Sequence, residues 1–144
     1  DDWIRMDKHV RQVGEIVKIF TSKTTKLSAN QQVNRVGKYL FNHIDSAYNY
    51  RKSGNMFDVY ITAYYQDTSR LDSSVEEMNI DINITTYSNK LRINIISLDE
   101  NEKTIGSDVY TPEFLEDLPK AYSKIMNRIK YRMSKEFSKY EFIF

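Results

Sequence analysis

The residues able to do acid–base or nucleophilic chemistry are few: two histidines, His9 and His43, and no cysteine. Without a thiol there is no thiolate nucleophile, no disulfide framework and no cysteine-built zinc site, and redox chemistry gives no sign of compartment. His43 precedes Asp45 by two positions, a separation that turns their side chains to different faces of a helix, so no local acid–base pair results. Both histidines fall in expected helices away from the apolar stripes, and each reads as structural or solvated. Asp99, Glu100, Asn101 and Glu102 have the donor types of a divalent-cation loop but lack its glycine and distal glutamate, so a solvated turn is expected. The GxGxxG, GxxxxGK and HExxH patterns are absent, which removes the commonest signatures of dinucleotide, nucleoside triphosphate and hydrolytic zinc sites. Asn83-Ile84-Thr85 fits a glycosylation sequon that matters only in a secreted chain. No catalytic residue, cofactor or metal site is expected, and the reading leans away from an enzyme.

Two surfaces remain. Lys120, Lys124, Arg128, Arg132, Lys135 and Lys139 recur mostly every four residues, which gathers them on one side of a helix with Glu136 the only acid there. Lys124, Arg128, Arg132, Lys135 and Lys139 are thus the candidate polyanion-binding set, against the ordinary reading of a solvated helix face. The second surface is a sheet face on which Tyr60, Thr62, Tyr64, Asn79, Asp81, Asn83, Thr85, Arg92 and Asn94 stand together. Its tyrosines can stack on single-stranded bases or anchor a protein partner. Asp81 and Glu77 on that face repel phosphate, so Tyr60, Tyr64, Asn83, Arg92 and Asn94 are assigned to a protein partner, with ordinary cross-strand pairing as the alternative.

These residues must be held by elements whose clearest mark is the stretch from Val75 to Leu98. Met78, Ile80, Ile82 and Ile84 alternate with Asn79, Asp81, Asn83 and Thr85, which predicts a strand with one face buried and one wet. Ser88-Asn89 supplies a tight turn, and Leu91, Ile93 and Ile95 resume the alternation in a returning strand. Ile96 and Leu98 then fall out of phase, which predicts a bulge. Met56 to Gln66 is a further strand with Phe57, Val59, Ile61 and Ala63 inward, and Thr104 to Tyr110 a fourth.

Helices flank this sheet. Trp3, Met6, Val10, Val13, Val17 and Phe20 form one stripe of a helix from about Asp2 to Thr21. Ser28 and Gln31 fit a capping box for a second helix from Ala29, whose stripe Val33, Val36, Leu40, Ile44, Ala47 and Tyr48 carries it toward Arg51, Lys52 and a glycine cap at Gly54. Gly37, costly in mid-helix, marks a close approach to another element. Thr111-Pro112 opens a helical segment that Pro119 restarts near Asp117, and the final helix runs to about Lys139 with Leu118, Tyr122, Ile125, Ile129 and Met133 inward. The apolar tail Tyr140 to Phe144 is expected to dock on the core or add a short strand.

At 144 residues the chain is read as one domain, and its net charge of +1 provides no global field for nucleic acid or membrane. No apolar run reaches the roughly 20 residues of a membrane span, and no signal-peptide pattern is present. The start at Asp1 rather than Met points to a missing upstream segment, so compartment stays open. The expected fold is α+β: two N-terminal helices, a four-stranded antiparallel meander and a long C-terminal helix. The expected function is a non-enzymatic protein-interaction or self-association domain. A binder of nucleic acid or anionic surfaces ranks second, and an enzyme with a site assembled from distant carboxylates and tyrosines third.

Overall fold

The computed structural model describes residues 27–72, 74–99 and 101–143. In chain order they form α1 (Ala29–His43), β1 (Ala47–Ser53), β2 (Met56–Asp67), β3 (Glu76–Tyr87), β4 (Lys90–Ser97), β5 (Lys103–Tyr110), a 3-10 turn (Phe114–Glu116), α2 (Leu118–Glu136) and β6 (Tyr140–Ile143). Strands β1 to β5 lie side by side in sequence order, all antiparallel, and β6 pairs with the Tyr64–Asp67 end of β2 on the edge that β1 leaves free. The architecture is α+β with an antiparallel sheet and a C-terminal helix. Among the described residues one helix precedes the sheet; the helix expected over Asp2 to Thr21, and His9 with it, lies outside them.

The isoleucine alternation does what its period demands. Ile80, Ile82 and Ile84 are fully buried with Phe57, Val59, Ile61, Leu91, Ile93 and Ile95 from neighbouring strands, and both helices cover that face. Helix α1 packs on β1 to β4, while α2 packs on β5 and, at its end, β6. Ser88 and Asn89 both adopt positive φ, 48° and 63°, which gives the hairpin the twist its strands need. The bulge is present, but its extra residue is Ile105 on β5, placed against the Ile95–Ile96 pair. Strand β4 itself never changes phase: Leu91, Ile93, Ile95 and Ser97 all face inward.

The capping box forms as the spacing implies, with the Ser28 hydroxyl accepting from the Gln31 amide and the Gln31 side chain accepting from the Ser28 amide. The helix then stops earlier than the stripe suggests. Ile44 is already extended, and Ala47 to Ser53 is a strand, not the last turns of a helix. Arg51, Lys52 and Gly54 read equally well as a helix end or as a strand running into a turn. Pairing with β2 decides for the strand, with Gly54 (φ 60°) opening the two-residue turn. Tyr50 gains a stack on Phe57 at 5.4 Å and an edge contact with Phe41 at 4.9 Å, neither visible to a local pattern. Among the described residues the sheet therefore has six strands rather than four, because the helix end became β1 and the tail became β6.

Asp117 caps α2 by accepting from the Lys120 amide, with Pro119 in its first turn, as the two-proline pattern implies. This helix ends at Glu136, short of Lys139, because Phe137 leaves helical geometry and turns the chain into β6. There Tyr140 stacks on Tyr65 with ring centres 4.3 Å apart, and Phe137 and Phe142 close the cluster.

Candidate functional site

The register of the sheet sets one residue from each of five strands in a single row across the face away from the helices: Arg51, Asp58, Asn83, Asn94 and Ser107. Their side chains bond in sequence. Arg51 Nη2 donates to Asp58 Oδ2 at 3.3 Å, Asn83 Nδ2 donates to Asp58 Oδ1 at 2.7 Å, and Asn94 Nδ2 donates to Asn83 Oδ1 at 2.9 Å. The Ser107 hydroxyl then donates to Asn94 Oδ1. The period of two puts these residues on one face; the antiparallel register makes them neighbours.

The outer face was expected to be wet, and its centre is not. Asp58 is 1%, Asn83 6% and Asp81 8% exposed. Short Asp and Asn side chains sit between longer ones on adjoining strands, Arg51 and Tyr60 among them, which shield the floor from water. Asp81 lies opposite Tyr60, one step along from the Asp58–Asn83 pair. Burial pushes its carboxyl up to about 8, helped by a hydrogen bond to Asp58 and that group's negative charge, against the pull of Arg51. At neutral pH Asp81 therefore keeps its proton and can donate it toward Asp58. Burial, then the charges of Asp58 and Asp81, also raise the Tyr60 phenol, which stays neutral.

The five residues assigned to a partner from sequence divide accordingly. Asn83 and Asn94 use their amide groups within the row. Tyr60 stands half-buried beside Tyr48, ring centres 6.5 Å apart. Tyr64 and Tyr48 are exposed. Arg92 lies with its guanidinium 4.0 Å over the Tyr87 ring, and its Nε is buried without a hydrogen-bond partner among the described residues. Sequence reasoning missed Arg51, Tyr48 and Ser107 as members of this face, and Asp58 as its central acceptor. A charged residue between Phe57 and Val59, near the start of an apolar strand, was the available signal for Asp58; Arg51 and Tyr48 were hidden by their assignment to a helix.

The basic helix is less free than its spacing suggests. Arg128 and Arg132 both turn onto Asp108 of β5, with bonds of 3.0 to 3.3 Å, and Arg132 also donates to the Ser107 carbonyl at 2.8 Å. Lys135 lies 5.8 Å from the Tyr131 ring centre, and Lys124 and Lys139 are exposed. Burial alone would raise the Asp108 carboxyl, but the hydrogen bonds and charges of Arg132 and Arg128 outweigh it and hold it below its ordinary range. A depressed carboxyl adds stability above its unfolded pKa and loses it as pH falls through the folded value. Asp108→Asn is therefore expected to cost about 1–2 kcal/mol at pH 7. In urea unfolding that gap should close on acidification below the carboxylate range; an unchanged gap would refute the clamp.

A cleft of about 380 Å³ opens between the end of α1 and α2, lined by His43, Ile44, Asp45, Tyr122, Ser123, Met126, Asn127 and Lys130. His43 is tied down there: its ring stacks on Tyr39 at 3.8 Å and its Nδ1 lies 2.9 Å from the Tyr39 carbonyl, while the Tyr122 hydroxyl donates to the His43 carbonyl. Among the described residues no group of three or more His, Asp or Glu could hold a metal ion, and no helix is long and apolar enough to cross a membrane. Compared with protein-family models, curated proteins and solved structures, the chain matches none.

Proposed function

We propose that the domain is a protein-interaction module whose contact surface is the outer sheet face, with Tyr48, Tyr60 and Tyr64 as anchors. The observation that carries this reading is the pairing of exposed tyrosines with a floor whose polar groups are bonded to one another across five strands. Such a floor needs no rearrangement on binding, so little ordering cost offsets the contact. Tyrosine contributes a large apolar ring and one polar tip for few rotatable bonds, which is why it is enriched at interface centres. Two further facts support a protein over a polyanion or a substrate. Asp108 engages the two arginines of the basic strip. Asp81, the carboxyl displaced furthest from its ordinary value, is 8% exposed and its neighbour Asp58 1%, so a substrate has little access to either.

The test is site-specific photo-cross-linking in the native cells, with a benzophenone amino acid at position 48 or 64 and, as control, at Tyr131, which is exposed on α2. Discrete protein adducts from 48 and 64 that fade when Tyr60 becomes Ala, with none from 131, are expected. An adduct of twice the 17.1 kDa chain mass identifies a second copy as the partner. Equal yields from 131, or no adduct from the sheet face, count against the module.

A further inference from the structure

We propose that the outer sheet face is locked in its contact shape by one proton held between Asp58 and Asp81, so that the surface tightens on acidification and loosens as pH rises. This rests on the reading of that face as a protein contact and names its regulation.

The geometry supplies the lock. Asp58 already receives Asn83 and Arg51, so the third group at its carboxylate, Asp81, reaches it favourably only as a proton donor. Asp81 Oδ1 is buried and, among the described residues, no N–H or O–H donates to it, so no donor is in place to receive a second negative charge. Among the described residues the charged and titratable groups facing Asp81 are Arg51 from β1, Asp58 from β2 and Glu102 from the β4–β5 turn, with Tyr60 opposite it in register; β4 brings Ile96 and Asn94 nearby. One cation therefore meets two acids before Asp81 ionises at all. Because Asp58 anchors the row through Asn83 and Asn94 to Ser107, releasing it releases side chains on four further strands.

The sign follows from linkage. When the face opens, Asp81 meets water and ionises in the ordinary carboxylate range; closed, it keeps its proton. Each pH unit between those two values thus multiplies the opening equilibrium by about ten.

The experiment follows the Asp81 carboxyl carbon by NMR in the intact chain, together with amide exchange at Tyr60, Asn83 and Asn94 divided by intrinsic rates. Between pH 5 and pH 7 the opening constant is expected to rise by at least about tenfold in the wild type and to stay flat in Asp81→Asn, whose amide replaces the proton donor. A carboxyl titrating in the ordinary range, or the same rise in Asp81→Asn, overturns the proposal. Should the variant fail to fold, the wild-type titration decides. Cross-linking from position 64 at the same pH values separates the two readings: adducts that persist while exchange rises refute the coupling. Adducts absent throughout, with the exchange change intact, refute the contact reading alone.

Discussion

Gly37→Ala is expected to destabilise the domain by about 3 kcal/mol, although alanine is the better helix former. A β-carbon at Gly37 would sit 2.3 Å from two atoms of the Phe57 ring and 2.7 Å from a third. The ring is the far end of no flexible chain: Phe57 is 1% exposed and is stacked by Tyr50. One partner must therefore move, and both are framed by packed neighbours, α1 by its buried stripe and Phe57 by β1 and β3 on either side. The gain in helix propensity, about 1 kcal/mol, offsets only part of this. Denaturant unfolding of Gly37→Ala, Phe57→Leu and the double variant measures it. The leucine makes room, so the double should be more stable than the summed losses by over about 1 kcal/mol. A neutral Gly37→Ala would mean that the helix does not lie on the sheet as described.

The second large effect is at Asp81. A carboxyl raised to about 8 when folded favours the native state fully below its unfolded pKa and progressively less as pH rises to the folded value. Wild-type stability should accordingly fall between about pH 4 and pH 8 and level off above. Asp81→Asn keeps a donor toward Asp58 and cannot ionise, so its curve should lack that slope. At pH 8 the variant is expected to be more stable by about 3 kcal/mol, roughly half the ceiling set by the full shift, since water entry and side-chain adjustment relieve part of the charge. Urea unfolding at pH 5, 7 and 8 measures it. Parallel curves would show that Asp81 ionises without penalty. The fall at high pH is opposite in direction to the Asp108 effect, which acts only in acid, so the two limbs identify the two carboxyls separately.

Much of the architecture was legible from short-range pattern. The period of two in Met78 to Ile84 and in Phe57 to Ala63 set the buried face, because a strand turns alternate residues the same way regardless of context. Ser28 with Gln31, Ser88-Asn89 and Asp117 with Pro119 marked their boundaries, because caps and turns are made by the residues nearest them. Gly37 announced a close approach without saying to what.

What only the tertiary structure decided is everything that joins residues far apart in the chain. Ala47 to Ser53 carries a helical stripe and a strand composition at once, and pairing with β2 chose between them. The candidate site has the same origin. Asn83 reaches Asp58 across 25 positions and Arg132 reaches Asp108 across 24, distances over which no periodicity carries information. Sequence marked Asn83, Asn94 and Tyr60 as sharing one face and Asp81 as a repulsive charge upon it. That Asp81 would be buried against a second carboxyl, and that two cations of the basic helix would be taken by one aspartate, depended on strand register and helix placement, which follow from packing the whole core at once.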